Sequence, residues 1–428
     1  MNFKSRLGTI IFGVLIGSSL CASPAFSATS SCENQLAVAR ELVLKTNFDR
    51  RTEVVEIIPA CVNGKLVLNG KTSAEGVLRS ILDELLQKNI NFTDQVVILP
   101  VEDEIIEKSW GLINVPVASM HAQPKFASAL VTQAVLGTPI RKIQSRGAWV
   151  QVQTPDGYMG WLHKKQFKSL STSGLSKWNS SELVIVTNLH LELNGVNNAK
   201  KMFLPAGSIL KKISESKNTV TVALPSGMMG TVNKEGIQDF HQWAAEKAKE
   251  INEDPTKFMD NVLKTAESLL GTPYMWGGNT ASGLDCSGFI NTIFRLNGLI
   301  LPRDSDQLTN LKGKVKRNQA FKKYELLFFG KEENGLAEIQ HVAIAKNSNE
   351  FLHALGDVHE TSFEKDSPNF EQYEKDRFMF SMELPEKLTD GTCSTTFKDN
   401  PFFAKVPRTL RYCIPIDLSF QRQPSRNY

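Results

Sequence analysis

The chain has 428 residues, of which 41% are hydrophobic and 22% charged, and its 49 Lys plus Arg against 45 Asp plus Glu leave a net charge of +4. That length holds about two to four domains, and the composition excludes a disordered, collagen-like or multi-span membrane chain. The small positive excess, with no basic run, gives no footing for nucleic-acid binding.

Residues 1–27 read as a secretory signal. Lys4 and Arg6 precede an apolar stretch from Leu7 to Leu20, and Ala25 and Ser27 follow at cleavage-like spacing. The stretch is short and broken by Gly8, Gly13 and Gly17, so no stable membrane span is expected after cleavage. Leu20 stands before Cys21 where a lipidation signal needs a small residue. Export to the periplasm or cell envelope permits disulfides. Past the signal, Cys32, Cys61, Cys286, Cys393 and Cys413 make an odd set. The expected pairs are Cys32–Cys61 and Cys393–Cys413 with Cys286 free; the alternative is that all are reduced and merely buried.

Residues 28–113 carry helical periodicity over 31–46 and strand-like runs at Glu53–Ala60 and Lys65–Leu68 around Val62-Asn63-Gly64, a hairpin signal. An amphipathic stretch follows from Ser73 to Leu86, then an apolar run at Gln95–Leu99. The order α-β-β-α-β is a small helix-on-sheet layer and is similar to BON-type modules. Residues 114–172 switch to short β runs separated by turns, the pattern of a small barrel. Val131 to Ile140, Gly147 to Val152 and Asp156-Gly157-Tyr158-Met159-Gly160-Trp161 resemble the bacterial SH3 domain. Residues 180–237 read as a poorer copy, with Pro225-Ser226-Gly227 and Met229-Gly230-Thr231 echoing that ending and Thr231 in place of Trp161. A charged helical linker, about 238–257, leads into the last domain, 238–418.

The chemistry lies there. Asp260–Leu270 is an amphipathic helix that Gly271 can end, and Tyr274-Met275-Trp276-Gly277-Gly278 is an aromatic, glycine-rich loop. From Cys286 the apolar residues fall at Phe289, Ile290, Ile293 and Phe294, so Cys286 sits in the first turn of a helix that Asp285 can cap. A helix N-terminus and a nearby imidazolium both favour a thiolate. Gln340–Ala345 and Phe351–Leu355 read as two strands. If the hairpin is centred on Ser348, Ala343 opposes His353 and His341 lies diagonally on the same face; an even loop separates the histidines. Cys, His and His in this order form a nucleophile–base–orienter set. The alternatives are a packed cysteine and two satisfied core histidines.

These segments, with Leu301 to Ser305 and Leu326 to Gly330, resemble the NlpC/P60 family of cell-wall cysteine peptidases. The resemblance implies an α+β multidomain protein whose papain-like catalytic domain follows two SH3-like barrels. It implies Cys286 as nucleophile, His341 as general base and His353 as the orienting residue, without cofactor; the Cys and His spacing fits no zinc motif, so no metal is expected. Glu325 departs from the Gly-Asp usual before the Leu-Leu-Phe-Phe run. With two SH3 domains ahead, the chain resembles the subgroup that cleaves γ-D-glutamyl-diamino acid bonds of peptidoglycan stem peptides or muropeptides with a free N-terminal L-alanine. That implies substrate binding by Trp276, Asp285, Ser287, Arg303, Asp304 and Ser305, with Tyr158 from the first SH3 domain. Tyr158 as plain barrel surface and Asp304 and Asp306 as turn residues stay open, as do a thiol acyltransferase or amidase on the same fold and a non-catalytic wall-binding protein.

Overall fold

The structure is a computed structural model that describes residues 25–195, 201–317, 320–333, 336–385, 387–389 and 393–408. The expected signal up to residue 24, Cys21 within it, and Cys413 with the C-terminal tail lie outside the described residues. Among the described residues, no helix is long and apolar enough to cross a membrane.

The chain starts with the helix Ala25–Lys45, followed by strands Val55–Val62 and Lys65–Thr72 paired antiparallel. Asn63 and Gly64 join them with φ of 51° and 74°, the positive values a two-residue hairpin of primed type requires. Helix Glu75–Gln87 crosses over, and strand Phe92–Ile98 adds parallel to Lys65–Thr72. Leu36, Ala39, Leu78, Ile81 and Leu85 from the two helices bury against Ile57, Leu66 and Leu68 of the sheet. The disulfide Cys32–Cys61 ties the first helix to the first strand.

Two seven-stranded sheets follow, covering Trp110–Leu170 and Leu183–Asp239. Numbered one to seven in chain order, the strands of both have the same neighbours, 7-1-4-5-6-2-3. The first sheet begins at Trp110 and not at 114, because Trp110–Ile113 pairs with both Phe167–Leu170 and Pro139–Arg146. All of Trp110–Ile113 is buried, as befits a strand paired on both sides. Gly137 and Gly207 turn the chain at equivalent points with φ of 79° and 84°.

Helix Phe240–Glu253 differs from the expected linker. Its face of Phe240, Trp243 and Ala244 packs on Leu183, Ile185 and Ile209 of the second barrel and on Ile300 and Phe397. The amphipathic period decides its fate over its charge. Helix Pro255–Glu267 comes next, and Gly271 follows at φ 78°.

The centre of the last domain is helix Cys286–Arg295, buried from Cys286 to Phe294. It lies on a six-stranded sheet ordered Lys314–Lys316, Phe378–Glu383, Leu326–Glu333, Leu336–Ala345, Glu350–Leu355, Asp357–Ser362. Phe289, Ile290, Ile293 and Phe294 share one core with Val342, Ile344, Leu352 and Ala354. Further on, Cys393 is disulfide-bonded. The chain then returns to the first barrel: the Phe402 ring stands 5.1 Å from that of Trp110, and Asn400 Nδ2 donates to Pro155 O at 2.8 Å.

Candidate active site

Cys286 opens its helix and Asp285 caps it, accepting from Gly288 N at 2.6 Å. The cap needs glycine at 288, since a Cβ there would lie 1.9 Å from Gly278 O. Asp285 also accepts from Gly277 N at 2.9 Å, which pins the glycine-rich loop to the start of the helix. Cys286 is buried and is the free cysteine among the described residues.

Strand Leu336–Ala345 runs beside that helix and pairs with Glu350–Leu355 through Ile344 opposite Leu352 and Ala345 opposite Phe351. This register is centred on Ser348, the odd-loop case, so the two histidines share a face. His341 Nε2 and His353 Nδ1 are 2.8 Å apart. That bond leaves His341 Nδ1 as its second ring nitrogen for other chemistry. The Cys286 thiol lies against the backbone N–H groups of Ser287 and of Val342, the residue next to His341.

Burial pushes the Cys286 thiol up to about 12, aided by the Asp285 carboxylate and opposed by those two N–H groups and Arg303. Burial likewise drives His341 down to about 3, with Arg377 and His359 adding to it, and lowers His353 well below the usual imidazole range. The resting pair is therefore a thiol and a neutral imidazole. Desolvation outweighs the helix N-terminus, which from sequence favours a thiolate.

The imidazole chain is longer than two. His353 Nε2 lies 2.9 Å from Thr361 Oγ1 and 3.0 Å from His359 Nε2, and His359 Nδ1 lies 2.9 Å from Asp357 Oδ1. With a proton-accepting Nδ1 on His341, one consistent set of tautomers has each imidazole donating outward until Asp357 accepts. Sequence reading missed His359; the signal that could have found it is Gly356, whose tight turn pairs His359 with His353 across the next hairpin. His353, His359 and Glu371 also put one ligand atom each within 4.8 Å of one another, so these three have the spacing to hold a metal ion.

The expected substrate residues divide. Arg303 and Asp285 form a buried bidentate pair at 3.1 and 2.8 Å. Arg303 also donates to Ser287 Oγ at 2.8 Å and to Thr132 Oγ1 of the first barrel at 2.9 Å. Tyr158 donates its hydroxyl to Asp304 Oδ2 at 3.0 Å, so it is no ordinary barrel surface. Ser305 is buried at the start of helix Ser305–Leu308, and Trp276 stands half exposed on the glycine-rich loop. The first barrel also sends Gln133, whose Oε1 accepts from Asn279 N at 3.1 Å. Gly277, at φ 74°, lets the loop approach closely: a Cβ there would lie 2.9 Å from Leu130 O. Sequence reading missed Thr132, Gln133 and Arg51, whose guanidinium binds Asp304 and Asp306.

Among known families, residues 271–379 match the NlpC/P60 family and residues 120–167 the bacterial dipeptidyl-peptidase Sh3 domain. Residues 271–379 form an NlpC/P60 domain, the cysteine-peptidase domain of that family. The NlpC/P60 chain is 29% identical over 238 residues to a γ-D-glutamyl-L-lysine dipeptidyl-peptidase of Bacillus cereus, covering 53% of this chain and 68% of that protein. It is 27% identical over 275 residues to dipeptidyl-peptidase 6 of Lysinibacillus sphaericus, covering 61% of this chain and 94% of that one. In fold it is similar to the crystal structure of an NlpC/P60 family protein from Bacillus cereus, with a TM-score of 0.53, 23% identity, and 65% of this chain and all 100% of that chain covered.

Proposed function

We propose that this peptidoglycan peptidase hydrolyses the γ-D-glutamyl-diamino acid bond of stem peptides with a free N-terminal L-alanine, through Cys286, His341 and His353. The observation that carries the reading is the 2.8 Å bond between His341 Nε2 and His353 Nδ1 on the strands that pack against the helix whose first residue is the buried Cys286, the thiol meeting Val342, the neighbour of His341. His341 Nδ1 takes the thiol proton as Cys286 Sγ attacks the γ-glutamyl carbonyl. The backbone N–H of Cys286, in the first turn, stabilises the oxyanion. His341 then protonates the leaving amine, and water cleaves the thioester to release the acid and regenerate the thiol. His353 holds the imidazole in the reactive tautomer.

The buried neutral pair supports a proton transfer concerted with attack, since neither ion is stable alone in that environment. The alanine end is assigned to Asp304 and Tyr158, because an ammonium leaving water needs a charged partner. Two relatives named as γ-D-glutamyl or dipeptidyl-peptidases support the bond assignment. The second barrel, with the strand order of the first, is read as a second SH3-like unit, and the N-terminal layer as BON-like. The chain is read as an exported, envelope protein.

The test is mass spectrometry of defined tripeptides and tetrapeptides, with lysine and with diaminopimelate, after incubation with wild type and Cys286→Ala. L-Ala-γ-D-Glu should appear with wild type alone. Transfer to an amine acceptor would identify an acyltransferase, and no turnover by wild type would reject the peptidase assignment.

A further inference from the structure

Arg51 lies between helix Ala25–Lys45 and strand Val55–Val62, in a module to which the proposed reaction assigns no role. Every nitrogen of its guanidinium donates to a carboxylate. Nε donates to Asp49 Oδ1 at 2.9 Å, Nη1 to Asp304 Oδ2 at 2.9 Å and Asp306 Oδ1 at 2.7 Å, and Nη2 to Asp49 Oδ2 and Asp306 Oδ2, each at 2.7 Å. The backbone is fixed as well: Arg51 N donates to Asp49 Oδ1 at 2.8 Å, and Arg51 O accepts from Met159 N of the first barrel at 2.6 Å. Asp49 in turn accepts from Gln307 Nε2 at 2.7 Å. Three modules thus meet around one cation.

Asp304 Oδ2 already takes two donors, Arg51 Nη1 and the Tyr158 hydroxyl, which uses both of its lone pairs. Asp304 Oδ1 faces Arg303 Nη1 at 3.9 Å. A substrate ammonium can reach this carboxylate only against a resident guanidinium of the same charge, and like charges at such range repel. We infer that Arg51 is a specificity-determining residue, an intramolecular competitor that holds Asp304 and sets how strongly the enzyme selects a free-amine peptide end. The inference rests on the reading that Asp304 receives the substrate amine. It gives the N-terminal module a function, to present a cation to the carboxylates at the amine end of the cleft.

Two readouts on the full chain separate this from the reaction it rests on. The first is calorimetric binding of L-Ala-γ-D-Glu to Cys286→Ala and to Cys286→Ala/Arg51→Ala. The double variant should bind about tenfold more tightly, as for one charge-assisted hydrogen bond gained. The second is the ratio of kcat/KM for L-Ala-γ-D-Glu-L-Lys over its N-acetyl form, which should rise about tenfold in Arg51→Ala. Arg51→Lys keeps the charge with fewer donors and should shift both readouts about threefold; it carries the test if the alanine variant fails to fold. Unchanged or weaker binding, absence of binding to either protein, or an equal loss on both peptides overturns the inference. Tighter binding without hydrolysis of either peptide by wild type would overturn the proposed reaction and leave the competition by Arg51 standing.

Discussion

The two barrels have one topology and opposite relations to the catalytic domain. With Gly137 set against Gly207, Thr132 and Gln133 of the first correspond to Met202 and Phe203 of the second, and with Gly157 set against Gly227, Tyr158 corresponds to Met228. The first barrel's three polar side chains bond Arg303, Asn279 and Asp304. The second barrel's three are apolar at the same places, and Phe203 is 64% exposed. The barrel supplies a rigid frame, and three side chains decide whether it takes part in a site.

The sharpest way to break the contrast is to remove the node that ties the first barrel to the nucleophile. Arg303→Met leaves Asp285 buried without its counter-charge and Thr132 Oγ1 without its donor. The expected cost is about 3–5 kcal/mol, as for breaking a buried ion pair on one side. Calorimetric unfolding checks it, and Arg303→Met/Asp285→Asn should recover part of the loss. Polar-for-apolar changes at the corresponding second-barrel places, Met202, Phe203 and Met228, should not approach this figure.

A smaller effect separates the catalytic core from both barrels by pH. Burial holds His341 down to about 3, while an unfolded imidazole titrates near 6.5. Below that pH the unfolded chain takes up a proton that the folded one refuses, so stability present at neutral pH is lost as the pH falls toward the folded value. Between pH 6.5 and pH 5 the loss is about 2 kcal/mol from this residue. Urea titrations at both pH values measure it, and His341→Gln should shrink the difference by about that amount, leaving the share of His353, which burial also lowers.

Next comes the matched pair in the barrels. Tyr158→Phe removes a buried hydroxyl that donates to a carboxylate and should cost about 1–2 kcal/mol in the same titrations. Met228→Leu, at the corresponding place, should cost less than about 1.5 kcal/mol and leave kcat/KM unchanged.

Much of this was legible from sequence, for local reasons. Asn63-Gly64 marks its hairpin, Asp285 and the apolar period after Cys286 mark the helix start, and Ser348 centres the turn that aligns His341 with His353. In each case the determining residues are neighbours in the chain or one hairpin apart. Arg51 was illegible for the converse reason: its partner Asp304 is 253 residues away, and nothing in Asp49-Arg50-Arg51-Thr52 distinguishes a surface loop from an ion-pair hub. Thr132 and Gln133 look like ordinary alternating strand residues, and only docking gives them partners. The thiol's neutrality was missed because burial is a tertiary quantity, and its cost exceeds the helix-end effect that sequence makes visible.

The smallest expected effect is the most direct test of the frame-and-side-chain view. Phe203→Gln gives the second barrel the residue the first has at position 133. Phe203 is 64% exposed at an edge strand, so the change removes little packing. Stability should move by no more than about 0.5 kcal/mol. Hydrolysis should not change, since the 279 loop is gripped by Gln133 and Leu130 of the first barrel and Phe203 is exposed on an edge strand. The mirror change, Gln133→Phe, places a ring where Asn279 N needs an acceptor, and should lower kcat/KM by loosening the loop that carries Gly277 onto Asp285. If both substitutions proved equally silent in peptide hydrolysis, the first barrel would be no more part of the site than the second, and the contrast drawn from their side chains would fail.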